Sequence, residues 1–214
     1  MLEATRVLSA AGVRYVGPAA ETLERCYDKL AATRAVAGAG FACPETCTGA
    51  AAQAMARALL LKPRRGSDSL GVAIVRRGPV PRSRANDEHI AQTLVRGAEV
   101  TVAVLGEAVG SPLLIELPPG RPYSFLRKYV LRPRRAPLAD RALAERVRRE
   151  AREIARLLGV AWAARLDFIH DARDARLYFL ECDAAPLIGR GSAFSDSLLA
   201  AGIGRAEQLR RLVA

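Results

Sequence analysis

Residues 163–183 read Ala163-Ala-Arg165-Leu-Asp167-Phe-Ile-His-Asp171-Ala-Arg-Asp-Ala-Arg176-Leu-Tyr-Phe-Leu-Glu181-Cys-Asp183, and the fold turns on this stretch. Residues 160–170 and 176–183 are strand-like, and the polar turn 171–175 between them makes a hairpin. Side chains alternate faces along a strand, so Arg165, Asp167 and Ile169 share one face of the first. By the same parity Leu177, Phe179, Glu181 and Asp183 share one face of the second. Paired, the strands bring Asp167, Glu181 and Asp183 together beside Arg165. Three carboxylates at the end of apolar strands repel one another unless a cation sits among them. Hard oxygen donors with few histidines point to Mg²⁺, of the kind that also binds a polyphosphate. On spacing alone, a solvent-facing hairpin end with scattered acids is the other reading.

Working outward, Leu143, Val147, Ala151, Ile154 and Leu158 recur at helical spacing with charges between them, which predicts an amphipathic helix. Its arginines are a solvated face. Residues 99–105 and 111–117 are two strands around a turn at 106–110, and the Pro/Gly-rich run 118–122 leads into 123–130. Nearer the start, residues 2–11 form a short helix and 13–16 a brief strand. Residues 20–37 form one helix closed by Gly38 and Gly40, and the Ala-rich run 48–57 another. A strand at 58–62, a turn-rich loop at 63–71 and a strand at 72–76 follow. Two short helices, 194–201 and 205–213, end the chain. The irregular alternation favours an α+β fold over a doubly wound sheet.

Composition narrows the function. Of 214 residues 33 are Lys or Arg and 22 Asp or Glu, a net charge of +11, with half the chain hydrophobic. This is a folded protein, not a disordered one. No apolar run reaches the ~18–20 residues of a membrane span. Met1 to Gly17 carries Glu3, Arg6 and Arg14 without a signal peptide's apolar centre, so a cytoplasmic location is expected. Cys26, Cys43, Cys47 and Cys182 have no zinc or redox spacing and read as unpaired thiols. The positive charge is spread out and lacks interleaved aromatics, which argues against nucleic-acid binding. Only Lys29, Lys62 and Lys128 are lysines, the other 30 basic residues being arginine. In so Arg-rich a chain, these three mark places where a compact, flexible point charge serves and a planar guanidinium does not. Lys62 opens Lys-Pro-Arg-Arg-Gly66-Ser-Asp-Ser69-Leu-Gly71, a loop able to offer backbone N–H and hydroxyl donors to phosphates, or simply to turn.

Taken in order, these pieces resemble the ATP-grasp superfamily, and within it the D-alanine–D-alanine ligases. The resemblance is carried by Tyr15-Val-Gly17, Tyr27-Asp28-Lys29-Leu30, Lys62-Pro with its Gly/Ser loop, Gly97-Ala-Glu99-Val-Thr-Val-Ala-Val-Leu-Gly106, Lys128-Tyr129, Arg165-Leu-Asp167-Phe, Leu180-Glu181-Cys-Asp183-Ala-Ala-Pro186 and Ala201-Gly202-Ile203. It covers essentially the whole chain. It implies two α+β subdomains holding a nucleotide between them: a small lid at 18–97 and a larger one at 98–214, with 1–17 the remnant of a preceding domain.

The same resemblance implies the cofactors ATP and Mg²⁺ and an ATP-dependent carboxylate–amine ligase that forms an amide through an acyl phosphate. Lys29 and Lys62 would hold the α- and β-phosphates, Glu99 the ribose and Lys128 the γ-phosphate. Asp167, Glu181 and Asp183 would hold two Mg²⁺, and Arg165 would steady the transferred phosphate. Ser69 belongs to the loop that closes over the phosphates, while Ser192, Tyr129 and Arg190 would meet the substrates.

Departures from the family pattern shape this expectation. Asp183 stands for an asparagine, Gln92 for a glutamate that reads adenine, Asp68 for a serine, and Leu187 for a glycine beside the oxyanion hole. A substrate other than D-alanine is therefore expected. Without a preceding domain one side of the substrate pocket would be open, so a homodimer or hetero-complex is expected, with Leu2, Val7 and Leu8 as covering contacts; the alternative is a bulky carboxylate substrate that fills the opening itself and meets Arg190 and Arg127. The competing class is a non-catalytic or half-complete ATP-binding subunit that needs a partner protein.

Overall fold

The computed structural model describes residues 1–54, 57–66, 71–116 and 134–213. Among them two antiparallel sheets carry the fold. Strands β1 (Thr46–Thr48), β2 (Leu59–Pro63), β3 (Ala73–Val75) and β4 (His89–Thr93) form the smaller sheet in the order β1-β4-β2-β3. The larger contains β5 (Ala98–Leu105), β6 (Ala108–Val109), β7 (Leu113–Glu116), β8 (Arg134–Pro137), β9 (Ala163–Asp171) and β10 (Arg176–Asp183). Its order is β10-β9-β5-β7-β8, with β6 folded back on β5. The α+β expectation holds.

Alternation along β5 builds the core. Val100, Val102 and Val104 point to one face with Leu166 and Phe168 of β9. There they meet Val147, Ala151 and Ile154 of the long helix α4 (Arg141–Leu157). Asp140 caps that helix by accepting from the Leu143 N–H at 3.0 Å. On the opposite face Ala103, Leu105 and Ala163 pack under Phe194, Leu198 and Leu212 from α5 (Ala193–Ala200) and α6 (Arg205–Val213). This second cover reaches only one end of the sheet. The polar residues farther along that face, toward Glu99, lie beyond it.

The hairpin forms as expected, with a correction to its parity. β9 and β10 pair from Arg176↔Asp171 to Phe179↔Phe168, and the register then shifts so that Glu181 faces Asp167 and Asp183 faces Arg165. Leu180 is the extra residue of a β-bulge. Leu177 and Phe179 therefore face the core, joined there by Cys182, while Glu181 and Asp183 turn to the opposite face. The four do not share a face, because the bulge reverses the parity midway.

Three local expectations also give way. Residues 20–37 are two helices, α2 (Ala20–Tyr27) and α3 (Lys29–Gly38), broken at Asp28. Asp28 is extended (φ −82°, ψ 93°), and its carboxylate accepts from the Leu30 and Ala31 N–H groups at 3.1 Å, capping α3. Among its described residues, the Ala-rich run 48–57 forms no α-helix. β1 ends in it and only a 3₁₀ turn, Ala51–Ala54, follows. A Cβ on Gly49 would stand 1.9 Å from the Arg84 carbonyl oxygen, so pairing with β4 and close backbone packing override alanine's helix propensity. Residues 13–16 find no partner strand and remain irregular, with Val13 and Val16 exposed.

Inserting one alanine between Leu180 and Glu181 is expected to abolish cooperative unfolding in denaturant. With a second extra residue in a strand whose bulge accommodates one, Glu181 and Asp183 take the core-facing parity of Phe179. Burying them without partners costs several kcal/mol, against a total stability of about 5–15 kcal/mol. Leu180→Ala, which keeps the residue count, is expected to cost less than about 2 kcal/mol. A cooperative, near-normal transition for the insertion would refute the role given to the bulge.

Candidate functional site

Arg165 organises the open end of the larger sheet. Its side chain is buried, and its Nη2 lies 2.9 Å from Asp167 Oδ2, with Nε at 3.1 Å from Oδ1. Glu181 Oε1 is 3.8 Å from Nη2, and Asp183 Oδ2 is 3.5 Å from Nη1. The register explains the convergence: Thr101, Asp167 and Glu181 form one cross-strand row, and Ala103, Arg165 and Asp183 the next. Thr101 donates to Asp167 Oδ1 at 2.6 Å, fixing that carboxylate from the β5 side. Burial opposes the charge of Arg165, but the three carboxylates, Asp167 foremost, outweigh it and hold the guanidinium pKa above its ordinary value. Asp183 is pushed up, by burial first and by Glu181 and Asp167 in addition, although Arg165 opposes the shift. That carboxylate still lacks full compensation.

The smaller sheet brings basic residues to the same place. Ala91, Leu59 and Leu61 face its private core, so Leu60, Lys62, Ile90 and Gln92 occupy the other face. Lys62 is only 7% exposed. Burial pushes its pKa down to about 8, Lys29 adds to the shift, and Glu181 and Asp167 oppose it. Lys29 opens α3 and donates its Nζ to the Gly66 carbonyl. Asp28 ties helix and loop together: Arg64 Nη2 sits 2.7 Å from Asp28 Oδ2, Arg65 Nη2 3.3 Å from it, and the Lys29 N–H donates to the Arg64 carbonyl at 3.0 Å. Burial alone would raise the Asp28 pKa. Hydrogen bonds from Arg64 and Ala31 together with both guanidinium charges bring it below the usual range.

Beside this cluster lies a pocket of about 440 Å³ lined by Leu2, Leu23, Cys26, Arg165, Asp183 and Ala185 among others. Helix α1 (Leu2–Ala10) brings Leu2 to its rim, whereas Val7 stays exposed. Cys26 and Cys182 are buried at the pocket wall. They are free, as the spacing indicates.

The structure thus brings together Lys29, Lys62, Arg165, Asp167, Glu181 and Asp183. Glu99 lies on the same sheet face as Thr101 and Asp167, half-buried. Ser192 caps α5, its Oγ accepting from the Ser195 N–H at 3.1 Å, and Arg190 is exposed. Ser69, Lys128 and Tyr129 lie outside the described residues. Sequence reasoning passed over Thr101 and the Asp28–Arg64 latch. Thr101 was within reach, since it lies two residues from Glu99 on the same strand face.

Both halves fit the ligands of a nucleotide site. Among the described residues no three His, Cys, Asp or Glu side chains stand ready to hold a metal ion by themselves. Arg165 occupies the middle of the carboxylates. That suits Mg²⁺, which keeps several waters and is held by one or two carboxylates together with substrate phosphates. On the basic side, a buried ammonium at Lys62 and a fully buried, unpartnered acceptor at Gln92 Oε1 both await a polar ligand.

Comparison with known proteins gives the family and the fold. The ATP-grasp domain model matches residues 26–184, most of the chain. The chain belongs to the ATP-grasp family, whose members use ATP with Mg²⁺. It is similar to the D-alanine–D-alanine ligase of Desulforudis audaxviator, with 30% identity over 232 aligned residues that cover 97% of this chain and 74% of that one. The D-alanine–D-alanine ligase of Bordetella petrii is 31% identical over 162 residues, 70% of this chain and 49% of that protein. The chain thus spans about half the length of that relative. Among solved structures, the VanG D-Ala:D-Ser ligase from Enterococcus faecalis matches 98% of this chain and 67% of its own with TM-score 0.84 at 23% identity. The D-alanine–D-alanine ligase from Bacillus anthracis complexed with ATP gives TM-score 0.76 at 19% identity, covering 98% and 72%. At these identities the two structures show a shared fold.

Lys62 yields a pH-dependent expectation. The folded chain releases its proton near pH 8 and the unfolded chain near 10.5, so between those values the unfolded state holds more protons and stability rises with pH. At neutral pH the nucleotide-free protein carries the whole cost of the buried charge. Lys62→Met is therefore expected to raise its melting midpoint at pH 7, by about 2–4 °C for each kcal/mol relieved, and the gain should shrink toward pH 10. Calorimetry that finds an equal loss at both pH values would show that the ammonium stabilises the fold instead.

Proposed function

We propose that this chain is an ATP-dependent carboxylate–amine ligase that forms an amide through an acyl phosphate. The observation that supports it best is the pairing of Arg165, ringed by Asp167, Glu181 and Asp183, with the buried Lys62 of the opposing sheet. In this reading residues 18–97 form the lid and 98–214 the larger lobe. Lys29 and Lys62 would hold the α- and β-phosphates, Glu99 the ribose hydroxyls, and Lys128, with Ser69 in the closing loop, the γ-phosphate. Asp167, Glu181 and Asp183 would hold Mg²⁺, which neutralises developing phosphate charge. Arg165, already fixed by three carboxylates, would present its guanidinium to the transferred group without reorganisation.

The substrates of this proposal are a small carboxylate and an amine, for which the 440 Å³ pocket beside Lys29, Arg165 and Asp183 offers room; Ser192, Tyr129 and Arg190 are the residues proposed to meet them. Asp183 in place of the expected asparagine, and the 61% exposed Leu187, favour a pair other than two D-alanines. Exposed Val7, Val13 and Val16 support assembly as a homodimer or with a partner protein, which light scattering measures.

The test is Mg²⁺-dependent ADP release over a panel of amino acids and small carboxylic acids. Stimulation by at least one pair is expected, and silence from a folded protein that binds Mg²⁺-ATP would sink the ligase reading. Glu181→Gln is expected to weaken ATP binding in Mg²⁺ by tenfold or more, toward the affinity without metal, while leaving the fold intact. Lys62→Met should weaken ATP strongly, whereas Arg149→Met, on the exposed face of α4, should do little. Equal effects of the last two would mean that diffuse positive charge, not a built site, binds the nucleotide.

A further inference from the structure

Gln92 is completely buried, and its two amide atoms are not equivalent. Nε2 donates to Thr46 Oγ1 at 3.1 Å, whereas Oε1 has no hydrogen-bond partner. The reason lies one step further on. The Thr46 hydroxyl donates its only hydrogen to the Pro44 carbonyl at 2.7 Å. Its oxygen can then only accept, and the side facing it must be the NH₂ of Gln92. A flipped amide would set two acceptors against each other or take the hydroxyl hydrogen from Pro44. The relay from Gln92 through Thr46 to Pro44 therefore fixes an acceptor, not a donor, at the free end of the amide.

The free acceptor stands on the ligand-facing side of the smaller sheet. Gln92 pairs with Leu60, two residues along β2 from Lys62, so the two side chains share that face. A nucleotide with phosphates at Lys62 would lie along this face with its base end toward Gln92. A buried acceptor without a partner accepts a group bearing an N–H and rejects one bearing a carbonyl oxygen.

We propose that Thr46 is a specificity-determining residue: by orienting the Gln92 amide it makes the site select a base with an exocyclic amino group, as in adenine, over one with a carbonyl there, as in hypoxanthine. This rests on the nucleotide-binding reading above. Thr46 acts through Gln92 and is a positioning residue. Removing its hydroxyl frees the amide to turn, and the same glutamine then offers Nε2 to a carbonyl as readily as Oε1 to an amine.

The experiment measures binding, not turnover: dissociation constants of Mg²⁺-ATP and Mg²⁺-ITP by calorimetry for the full chain and its variants. The unaltered protein is expected to prefer ATP by about tenfold or more. Thr46→Val should bring that ratio to within about threefold, chiefly by tightening ITP, while Thr46→Ser should retain the preference. The double variant Thr46→Val/Gln92→Glu should restore it, because an ionised carboxylate offers acceptors whichever way it turns. An unaltered protein that binds both nucleotides equally overturns the proposal while nucleotide binding stands. Full ATP preference in Thr46→Val overturns it too, since something else then orients Gln92. If Thr46→Val fails to fold, loss of preference in Thr46→Ser, which keeps the relay, overturns it as well. A protein that binds neither nucleotide removes the reading on which the proposal rests.

Discussion

The buried guanidinium of Arg165 among three carboxylates is the constraint on which the rest depends. A strand end carrying Asp167, Glu181 and Asp183 could not stay together without it, because like charges so close raise one another's pKa and drive the strands apart. One guanidinium does not balance three carboxylates. Lys62 and Lys29 of the opposing segment supply two further positive charges, and the electrostatic coupling of Lys62 to Glu181 and Asp167 shows that the two sheets share one field. The charges add to zero only when both halves are counted. A polyphosphate drawn to the lysines would upset that balance and leave the carboxylates under-compensated, which is the condition that recruits a divalent cation. Ligand and metal would then enter as a pair.

The bulge at Leu180 lets one strand serve both needs. Leu177, Phe179 and Cys182 stay in the core with Phe168 and Leu166, while Glu181 and Asp183 leave it. A regular strand would have to choose between the hydrophobic packing of its first half and the acidic row of its second. Inserting one residue resolves the conflict locally, and the edge position of β10 leaves room for the distortion.

Much of this was legible in the sequence, and the misses share a cause. The hairpin, the α4 stripe, the α+β class and the cluster of Arg165, Asp167, Glu181 and Asp183 follow from periodicity and from side-chain alternation. The bulge does not, because nothing in Phe179-Leu180-Glu181 states that one residue goes unpaired. Asp28 reads as one more polar residue in a helical run until the fold brings Arg64 to it, 36 positions away. Gln92 and Thr46 are 46 positions apart and meet only through the β1–β4 register. Local pattern reaches one element at a time. These features are set by which elements become neighbours.

The choice of lysine at position 62 follows from the same physics. Thirty of the chain's 33 basic residues are arginine, so an arginine there would match the prevailing composition. A guanidinium cannot shed its proton, and buried against the carboxylate cluster it would need partners for five N–H donors in every state of the site. An ammonium with a pKa pushed down to about 8 can give up its proton in the ligand-free state as the pH rises, which a guanidinium cannot. It becomes fully protonated when an anion arrives and raises that value again. Arginine suits position 165, where three carboxylates satisfy it permanently, and lysine suits position 62, where the partner comes and goes.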